Sequence, residues 1–278
     1  MADKALVLGG GGVTGVAWEV GVIAGLAEHG VDLAGADLVV GTSAGSVVGV
    51  DVRSGLGISE FYKRQTAPYD SGEVSAQMGR AVLLQYGLAV ALTRKPEVAR
   101  KRLGRVALRA KTETEAERRR VFEELMPITQ WPSARLQITA VETVSGEFTV
   151  FDADSGVSLI DAVGASCAVP GIWPAVTING KRYMDGGMRS AANVDLAAGH
   201  DKVVVIAPLH QGFGPIASVA SQVSALRAQG SEVVVITPDK AAVRSIGKNV
   251  LDPTNRPAAA RSGFAQAATE ASSVAAIW

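Results

Sequence analysis

The segment Gly41-Thr42-Ser43-Ala44-Gly45 follows the apolar run Asp37-Leu38-Val39-Val40 and precedes Ser46-Val47-Val48-Gly49-Val50. The first run is typical of a buried strand and the last of a helix, so the segment predicts a tight turn between them. A serine at the tip of such a turn has strained backbone angles, and small neighbours leave its hydroxyl accessible. The pattern makes Ser43 a candidate nucleophile, with Gly41 and Gly45 as supporting residues.

The composition fits one folded unit without a dominant charge. The chain has 278 residues, of which 47% are apolar, and this is enough for a sizeable core. Its 27 basic and 27 acidic side chains cancel, so the sequence gives no reason to expect a nucleic-acid partner. Cys167 is the only cysteine, which excludes an internal disulfide and a multi-cysteine metal site. We therefore expect a reducing, cytoplasmic location.

The sequence contains no segment typical of membrane insertion. The first residues, Met1-Ala2-Asp3-Lys4, run directly into Ala5-Leu6-Val7-Leu8, which leaves no room for a signal peptide. No uncharged apolar stretch reaches the 18 residues of a membrane-spanning helix. Any contact with a membrane is expected to be peripheral.

The order of predicted elements divides the chain into a core, an insertion and a tail. The core, at about 4–54 and 131–240, begins with alternating strands and helices, which predicts an α/β fold with a mainly parallel central sheet and helices on both faces. Residues 55–130 predict a helical cap insertion, and 241–278 a helical tail whose end, from Pro257, reads as a surface helix. Together, residues 1–278 are expected to form a single domain. The predicted strands are Ala5–Leu8, Asp37–Val40, Leu136–Val141, Phe148–Phe151, Val176–Ile178, Arg182–Met184, Val203–Ala207 and Val233–Thr237. Asn179-Gly180, between the fifth and the sixth of them, predicts a type I′ hairpin turn.

A glycine-rich loop, Gly9-Gly10-Gly11-Gly12-Val13-Thr14-Gly15, lies between the first predicted strand and the first predicted helix. Consecutive glycines let backbone N–H groups converge on an anion, either a phosphate or a developing oxyanion. Gly10, Gly12 and Gly15 also fit the dinucleotide-binding fingerprint, but that site needs an acidic residue at the end of the second strand. This strand ends in Val40-Gly41 instead, so an oxyanion hole is favoured over a nicotinamide cofactor.

A serine nucleophile needs a base, and the sequence offers few candidates. Asp185 in Asp185-Gly186-Gly187 follows a predicted hairpin strand. Among the histidines, His29 ends the first helix, where a helix-capping role is ordinary. His200 and His210 flank a strand, and the order Ser43, Asp185, His210 would imitate an α/β-hydrolase triad. Such hydrolases build several strands before the serine turn, whereas one strand precedes it here, which favours a Ser–Asp dyad without excluding the triad.

These motifs, in this order, resemble the patatin-like phospholipase family. The resemblance covers about residues 4–208 and includes Ala165-Ser166-Cys167-Ala168-Val169-Pro170-Gly171-Ile172-Trp173-Pro174 before the Asp hairpin. It implies a three-layer patatin-like fold and hydrolysis of lipid acyl esters, such as phospholipids, lysophospholipids or glycerides, without a metal or other cofactor. By similarity, Ser43 is the nucleophile and Asp185 the base. The oxyanion hole comes from the backbone of Gly10, Gly11 and Gly12, and the motif glycines Gly15, Gly41, Gly45, Gly186 and Gly187 support the site.

Two positions depart from the family pattern. Thr14 stands where the family often has Arg or Lys, so any contribution of that cation to substrate affinity is lost. Asp195 stands where the family often has proline, which we interpret as a structural change. A scaffold that binds lipid without hydrolysing it therefore remains an alternative from a different functional class.

The insertion contains a candidate membrane-contact segment, 81–120. Its apolar part is Ala81–Leu92, and residues 94–120 carry eleven basic against four acidic side chains. One interpretation is a solvated helical face. The other is a cap whose apolar part enters lipid while its basic part meets anionic head groups.

Overall fold

A computed structural model of the protein describes residues 3–68, 76–91 and 93–278. The predicted insertion therefore includes 69–75 and Leu92, which lie outside the described residues. The strands are β1 Lys4–Leu8, β2 Leu38–Gly41, β3 Arg135–Glu142, β4 Phe148–Phe151, β5 Val176–Ile178, β6 Lys181–Asp185, β7 Lys202–Ile206 and β8 Glu232–Ile236. The α-helices are α1 Gly12–Glu28, α2 Ala44–Arg53, α3 Ile58–Thr66, α4 Arg80–Ala91, α5 Pro96–Arg109, α6 Glu115–Leu125, α7 Leu159–Ser166, α8 Val219–Ala228, α9 Lys240–Ile246 and α10 Arg256–Ile277.

The strands form one mixed sheet in the order β5-β6-β3-β2-β1-β7-β8, with β4 also paired to β3. The strands from β8 to β3 run parallel, whereas β4, β6 and β5 are antiparallel additions. The α/β class and the parallel core of the sheet are confirmed. The predicted turn at Asn179-Gly180 is also confirmed, since both residues have positive φ, at 49° and 75°, as a type I′ turn requires.

Strand β3 brings β2 and β6 to one place in the sheet. Ile138 of β3 pairs with Gly41 of β2 and also with β4, so β2 and β4 lie on opposite edges of β3. Ala140 pairs with β4 and with Asp185 of β6, so β6 shares the β2 edge. Strand β6 therefore occupies the space beyond the carboxyl end of β2, and Asp185 lies two residues, about 7 Å, further along β3 than Gly41.

Helices cover both faces of the sheet, as the three-layer prediction requires. Because side chains alternate along a strand, Leu6 and Leu8 of β1 face one way and Ala5 and Val7 the other. The first pair belongs to the larger apolar core with residues of α1, α2 and α10. The second pair packs in a smaller core with residues of α8.

The C-terminal helix α10 is a surface helix that packs one face closely against α1 and leaves the other exposed. A Cβ at Gly21 of α1 would lie 2.1 Å from the Ala260 carbonyl oxygen, and one at Gly263 of α10 would lie 2.3 Å from that of Trp18. The two helices therefore touch through their backbones. Small residues permit this approach. Because they are only weakly hydrophobic, the buried face of α10 does not stand out in the hydrophobicity pattern of the sequence.

The inserted helices α3 to α6 lie between β2 and β3 in the chain. Helices α4 and α5 pack on the antiparallel end of the sheet, in a cluster with Val141 of β3 and Met184 of β6. The start and the end of the insertion lie close together, since the Arg53 guanidinium donates to the carbonyls of Ala36 (2.8 Å) and Arg135 (3.0 Å). In the described ranges, no helix is long and apolar enough to cross a membrane.

Candidate active site

Ser43 occupies the predicted turn between β2 and α2 with a strained backbone. Its φ of 52° and ψ of −117° lie in a region that costs a non-glycine residue about 1–3 kcal/mol. Three contacts hold it: the Ser43 N–H donates to Ser166 Oγ (2.9 Å), and its carbonyl accepts from Ser46 Oγ (2.6 Å) and Cys167 Sγ (3.3 Å). These contacts thus hold Ser43 in the strained conformation that the sequence predicts.

The two glycines of the serine motif are required by close backbone contacts. A Cβ at Gly45 would lie 2.2 Å from the Leu8 carbonyl oxygen, and a Cβ at Gly41 would lie 2.6 Å from that of Gly45. Either addition would push α2 away from β1 or from the end of β2. The small residues therefore allow the turn to sit tightly against the sheet.

Asp185 ends β6 beside the serine turn, where its carboxyl group interacts with the Ser43 side chain. Its Oδ1 accepts the Gly187 N–H at 2.7 Å. Burial raises the pKa of Asp185 to about 6, although Ser43 and the Gly187 N–H act in the opposite direction. Gly186 permits this arrangement, because a Cβ there would lie 2.2 Å from Thr139 Oγ1.

The glycine loop lies directly against Ser43, since a Cβ on Gly10 would be 3.5 Å from the Cβ of Ser43. The Gly10 N–H is engaged, because it donates to the Ala191 carbonyl at 2.7 Å. For the N–H groups of Gly11 and Gly12, no hydrogen-bond partner is found among the described residues. Of the three predicted oxyanion donors, two therefore remain available and one has a structural bond.

Thr14 and Glu19 show how α1 holds this loop. Thr14 is buried, and both its N–H (3.1 Å) and its Oγ1 (3.3 Å) donate to the Val250 carbonyl. Glu19 accepts the Gly9 N–H at 2.9 Å, and burial raises the pKa of this carboxyl group well above its ordinary value. Sequence reasoning missed Glu19, although a single acidic residue within an apolar helix was a signal for a buried polar contact.

The two candidate histidines lie beyond opposite ends of β7. His200 precedes the amino end of β7, where Nδ1 is 3.2 Å from the Ala197 carbonyl and Nε2 is 3.6 Å from Asp3 Oδ2. His210 follows the carboxyl end of β7 and is exposed. Within the described ranges, neither ring has a hydrogen bond or ion pair with Ser43 or Asp185. The geometry favours the aspartate over a histidine as the partner of Ser43.

Two residues of the inserted helices, Tyr86 and Arg118, contact segments next to the site. Neither was predicted as a site residue from the sequence. Tyr86 of α4 donates to the Pro170 carbonyl at 3.0 Å, and burial followed by the nearby Asp185 carboxylate raises the pKa of its phenol. Arg118 of α6 stacks on Trp173, with 3.8 Å between its guanidinium carbon and the ring centroid. Only 8% of Ser43 and 2% of Asp185 are exposed, so the site is covered.

Asn193 is a second element that sequence reasoning missed. It is fully buried with φ of 51°, and its Nδ2 lies 3.0 Å from Thr42 Oγ1 and 3.1 Å from the Ser190 carbonyl. The signal was an asparagine between apolar residues, because asparagine tolerates the left-handed region. The neighbouring Asp195 pairs with Arg189 at 2.5 Å, which agrees with a structural role.

No group of three or more His, Cys, Asp or Glu side chains arranged to hold a metal is found among the described residues. A cavity of about 320 Å³ lies between α6 and α7, and neither Ser43 nor Asp185 lines it.

Comparison with known proteins gives one family. A family model described as patatin-like phospholipase matches residues 6–198. No match was found among curated proteins. Among solved structures, the chain is similar to VipD from Legionella pneumophila, with 14% identity, a TM-score of 0.47, and coverage of 98% of this chain and 67% of that one. It is also similar to the type III effector protein ExoU, with 18% identity, a TM-score of 0.41, and coverage of 97% of this chain but only 53% of that one.

Proposed function

Because this chain belongs to the patatin-like phospholipase family, a family of lipid acyl hydrolases, we propose that it hydrolyses lipid acyl esters through a Ser43–Asp185 dyad. The observation that carries the proposal is the placement of the Asp185 carboxyl group beside the Ser43 side chain at the carboxyl end of β2. The glycine loop beside them supplies N–H donors. Phospholipids, lysophospholipids and glycerides are the candidate substrates.

The first step forms an acyl-enzyme. Asp185 accepts the proton of the Ser43 hydroxyl while Oγ attacks the ester carbonyl, and the alcohol leaves with a proton that Asp185 returns to it. A water molecule then attacks the acyl-enzyme with Asp185 again as the base, which regenerates Ser43 and releases the fatty acid. The pKa of about 6 suits this role, because the carboxyl group is mostly ionised at pH 7 yet is a better base than an exposed aspartate.

The oxyanion of the tetrahedral intermediate is assigned to the N–H groups of Gly11 and Gly12. Their freedom from other partners among the described residues supports this assignment, and the engaged N–H of Gly10 is assigned to hold the loop against Ala191. The start of α1 adds its positive dipole end at the same place. Loss of one such donor typically lowers turnover by about 100-fold or more.

A fluorophosphonate probe tests the proposal. We expect labelling of the wild type that is lost in Ser43→Ala, together with release of fatty acid from at least one member of a panel of phospholipids and glycerides. Exposed Ser145→Ala serves as the matched control and should label normally. A wild-type protein that is neither labelled nor active on any ester would favour the lipid-binding scaffold instead.

We also propose that the segment 81–120 docks on anionic membranes, which would make the protein a peripheral one on the cytoplasmic side. Leu83, Leu84 and Leu88 of α4 are 54%, 64% and 55% exposed, an unusual apolar surface for three leucines of one helix. Exposed cations on or beside α5 include Lys101, Arg105 and Arg109. An apolar helix beside basic groups matches the charge and polarity of an anionic lipid surface.

Co-sedimentation with vesicles tests this second proposal. Binding should increase with the fraction of phosphatidylglycerol, decrease with salt, and fall in the double variant Leu84→Asp and Leu88→Asp. The control is Leu56→Asp, since Leu56 is 52% exposed but lies outside this segment. Binding that is insensitive to lipid charge and to the double substitution would contradict membrane docking.

A further inference from the structure

We propose that Arg118 binds the phosphate of a phospholipid substrate and thereby makes the enzyme prefer esters with a phosphodiester head group over neutral glycerides. This inference rests on the proposed function, since it assigns a substrate class to the same site. It starts from the Arg118 guanidinium of the inserted helix α6, which stacks on Trp173.

The Arg118 guanidinium is held between two aromatic rings. Its central carbon lies 3.8 Å from the centroid of Trp173 and 4.8 Å from that of Phe122. The side chain is only 15% exposed. An arginine that is stacked in this way has lost most of its conformational freedom before any ligand binds, so less entropy is lost on binding.

The position of Arg118 is tied to the dyad through Cys167. Burial is the main cause that raises the pKa of the Cys167 thiol to about 12, while the Asp185 carboxylate raises it further and the Arg118 guanidinium opposes both. The thiol therefore lies within electrostatic range of both groups. It also donates to the Ser43 carbonyl at 3.3 Å, so Cys167 is in direct contact with the nucleophile turn.

The hydrogen-bonding capacity of Arg118 is unused. In the described part of the chain, Nε is buried without a hydrogen-bond partner, and no other N–H of the guanidinium has one. The nearest anion, Glu113 Oε1, is 3.8 Å from Nε, beyond hydrogen-bond distance. A buried guanidinium N–H without an acceptor is costly, and a bidentate oxyanion such as a phosphate would accept from Nε and from a terminal nitrogen together.

The cavity between α6 and α7 offers space beside this cation. Arg118 lines it together with apolar groups of Phe122, Ile160 and Val176, and its volume of about 320 Å³ is at the lower end for a small-molecule site. The other charged groups of its lining are already paired. Arg119 pairs with Asp161, and Glu115 accepts from Thr177.

One wall of the cavity leads toward the nucleophile. Helix α7 lines the cavity with Ile160 and Gly164, and Cys167, three residues after Gly164 on the same face, donates to the Ser43 carbonyl. A phospholipid whose ester carbonyl lies at Ser43 would thus meet Arg118 on the same side of α7. A neutral glyceride has no anionic group to pair with the guanidinium there, so it would gain less from this contact.

The test compares two esters with the same acyl chain, palmitoyl lysophosphatidylglycerol and monopalmitoylglycerol. In Arg118→Gln, kcat/KM for the lysophospholipid should fall about 10-fold to 100-fold, mainly through KM, because a charge-assisted hydrogen bond is lost. The rate with the neutral glyceride should change less than about 2-fold. Arg244→Gln, the same charge change at an exposed position of α9 outside the segment 81–120, should leave both rates unchanged.

A role of Arg118 in packing alone would lower both rates together, and that result would overturn the proposal. Should the Gln variant lose its fold, Arg118→Lys retains the charge and must still lower the lysophospholipid rate selectively, because the planar fork is absent. Binding is measured separately by calorimetry in a Ser43→Ala background. Tighter binding of the lysophospholipid than of the glyceride, lost with Arg118→Gln, supports the inference even if no ester is hydrolysed, and equal affinities overturn it.

Discussion

Asp185→Asn should make the protein more stable and inactive at the same time. Burial raises the pKa of Asp185 from the ordinary 3.8 to about 6, so ionisation is less favourable in the folded chain than in the unfolded one. The shift of about 2 units corresponds to about 3 kcal/mol. This cost is absent below pH 3.8, grows as the pH rises toward 6, and is complete above it. An amide at the same position can accept the Gly187 N–H without carrying the charge.

We therefore expect Asp185→Asn to increase the free energy of unfolding by up to about 3 kcal/mol at pH 8 and by about half of that at pH 5. Urea unfolding at the two pH values measures this difference. The control is Asp154→Asn, since Asp154 is exposed and its replacement should change stability by less than about 0.5 kcal/mol.

The same carboxyl group should control activity. Fluorophosphonate labelling of the wild type should slow about 10-fold between pH 7 and pH 5, because the ionised fraction falls from about 0.9 to about 0.1. In Asp185→Asn, labelling should be at least about 100-fold slower at every pH. A wild-type rate that stays flat between these pH values, or a variant that is less stable than the wild type at pH 8, would refute the reasoning.

Three further predictions concern the surroundings of the dyad. Replacing His200 and His210 together by Asn should leave fluorophosphonate labelling within about 3-fold of the wild type, whereas a histidine triad would lose at least about 100-fold. Gly45→Ala should lower the free energy of unfolding in urea by about 3 kcal/mol or more, because its Cβ would overlap a carbonyl of β1; Gly35→Ala, where a Cβ meets nothing within 4 Å, should change it by less than about 1 kcal/mol. Asp51→Asn should increase the free energy of unfolding in urea by more at pH 8 than at pH 5, since burial raises the pKa of Asp51 to about 8; equal gains at the two pH values would contradict this.

The sequence predicted the parts of the site that depend on local geometry. The serine turn, the glycine loop and the Asn179-Gly180 hairpin each need particular small residues at fixed spacing, and this requirement can be recognised in the sequence alone. The pairing of Ser43 with Asp185 was inferred from the order of motifs. Its physical basis, the shared edge of β3, required the register of three strands.

The parts that escaped prediction depend on contacts between distant segments. Arg118 and Tyr86 belong to an insertion whose charges and apolar residues look like those of any surface helix, and only packing directs them toward the site. The close packing of α10 on α1 was not predicted because alanine and glycine carry little hydrophobic signal, although they let the two backbones touch. Glu19 could have been noted as an acidic residue among apolar neighbours, but its partner, the Gly9 N–H, follows only from the fold of the glycine loop.

The position of Arg53 has a consequence for how this enzyme could be altered. Its guanidinium joins the last turn of α2 to the first residue of β3, so the chain leaves the sheet and returns to it at almost the same point. The proposed nucleophile and base are both anchored on strands outside the intervening segment. A different cap could thus replace residues 55–130 if its ends meet at Arg53 and Arg135 and if it fills the space that Phe61, Phe122 and Met126 occupy in the larger apolar core. Such an exchange would change the substrate preference around the same proposed dyad.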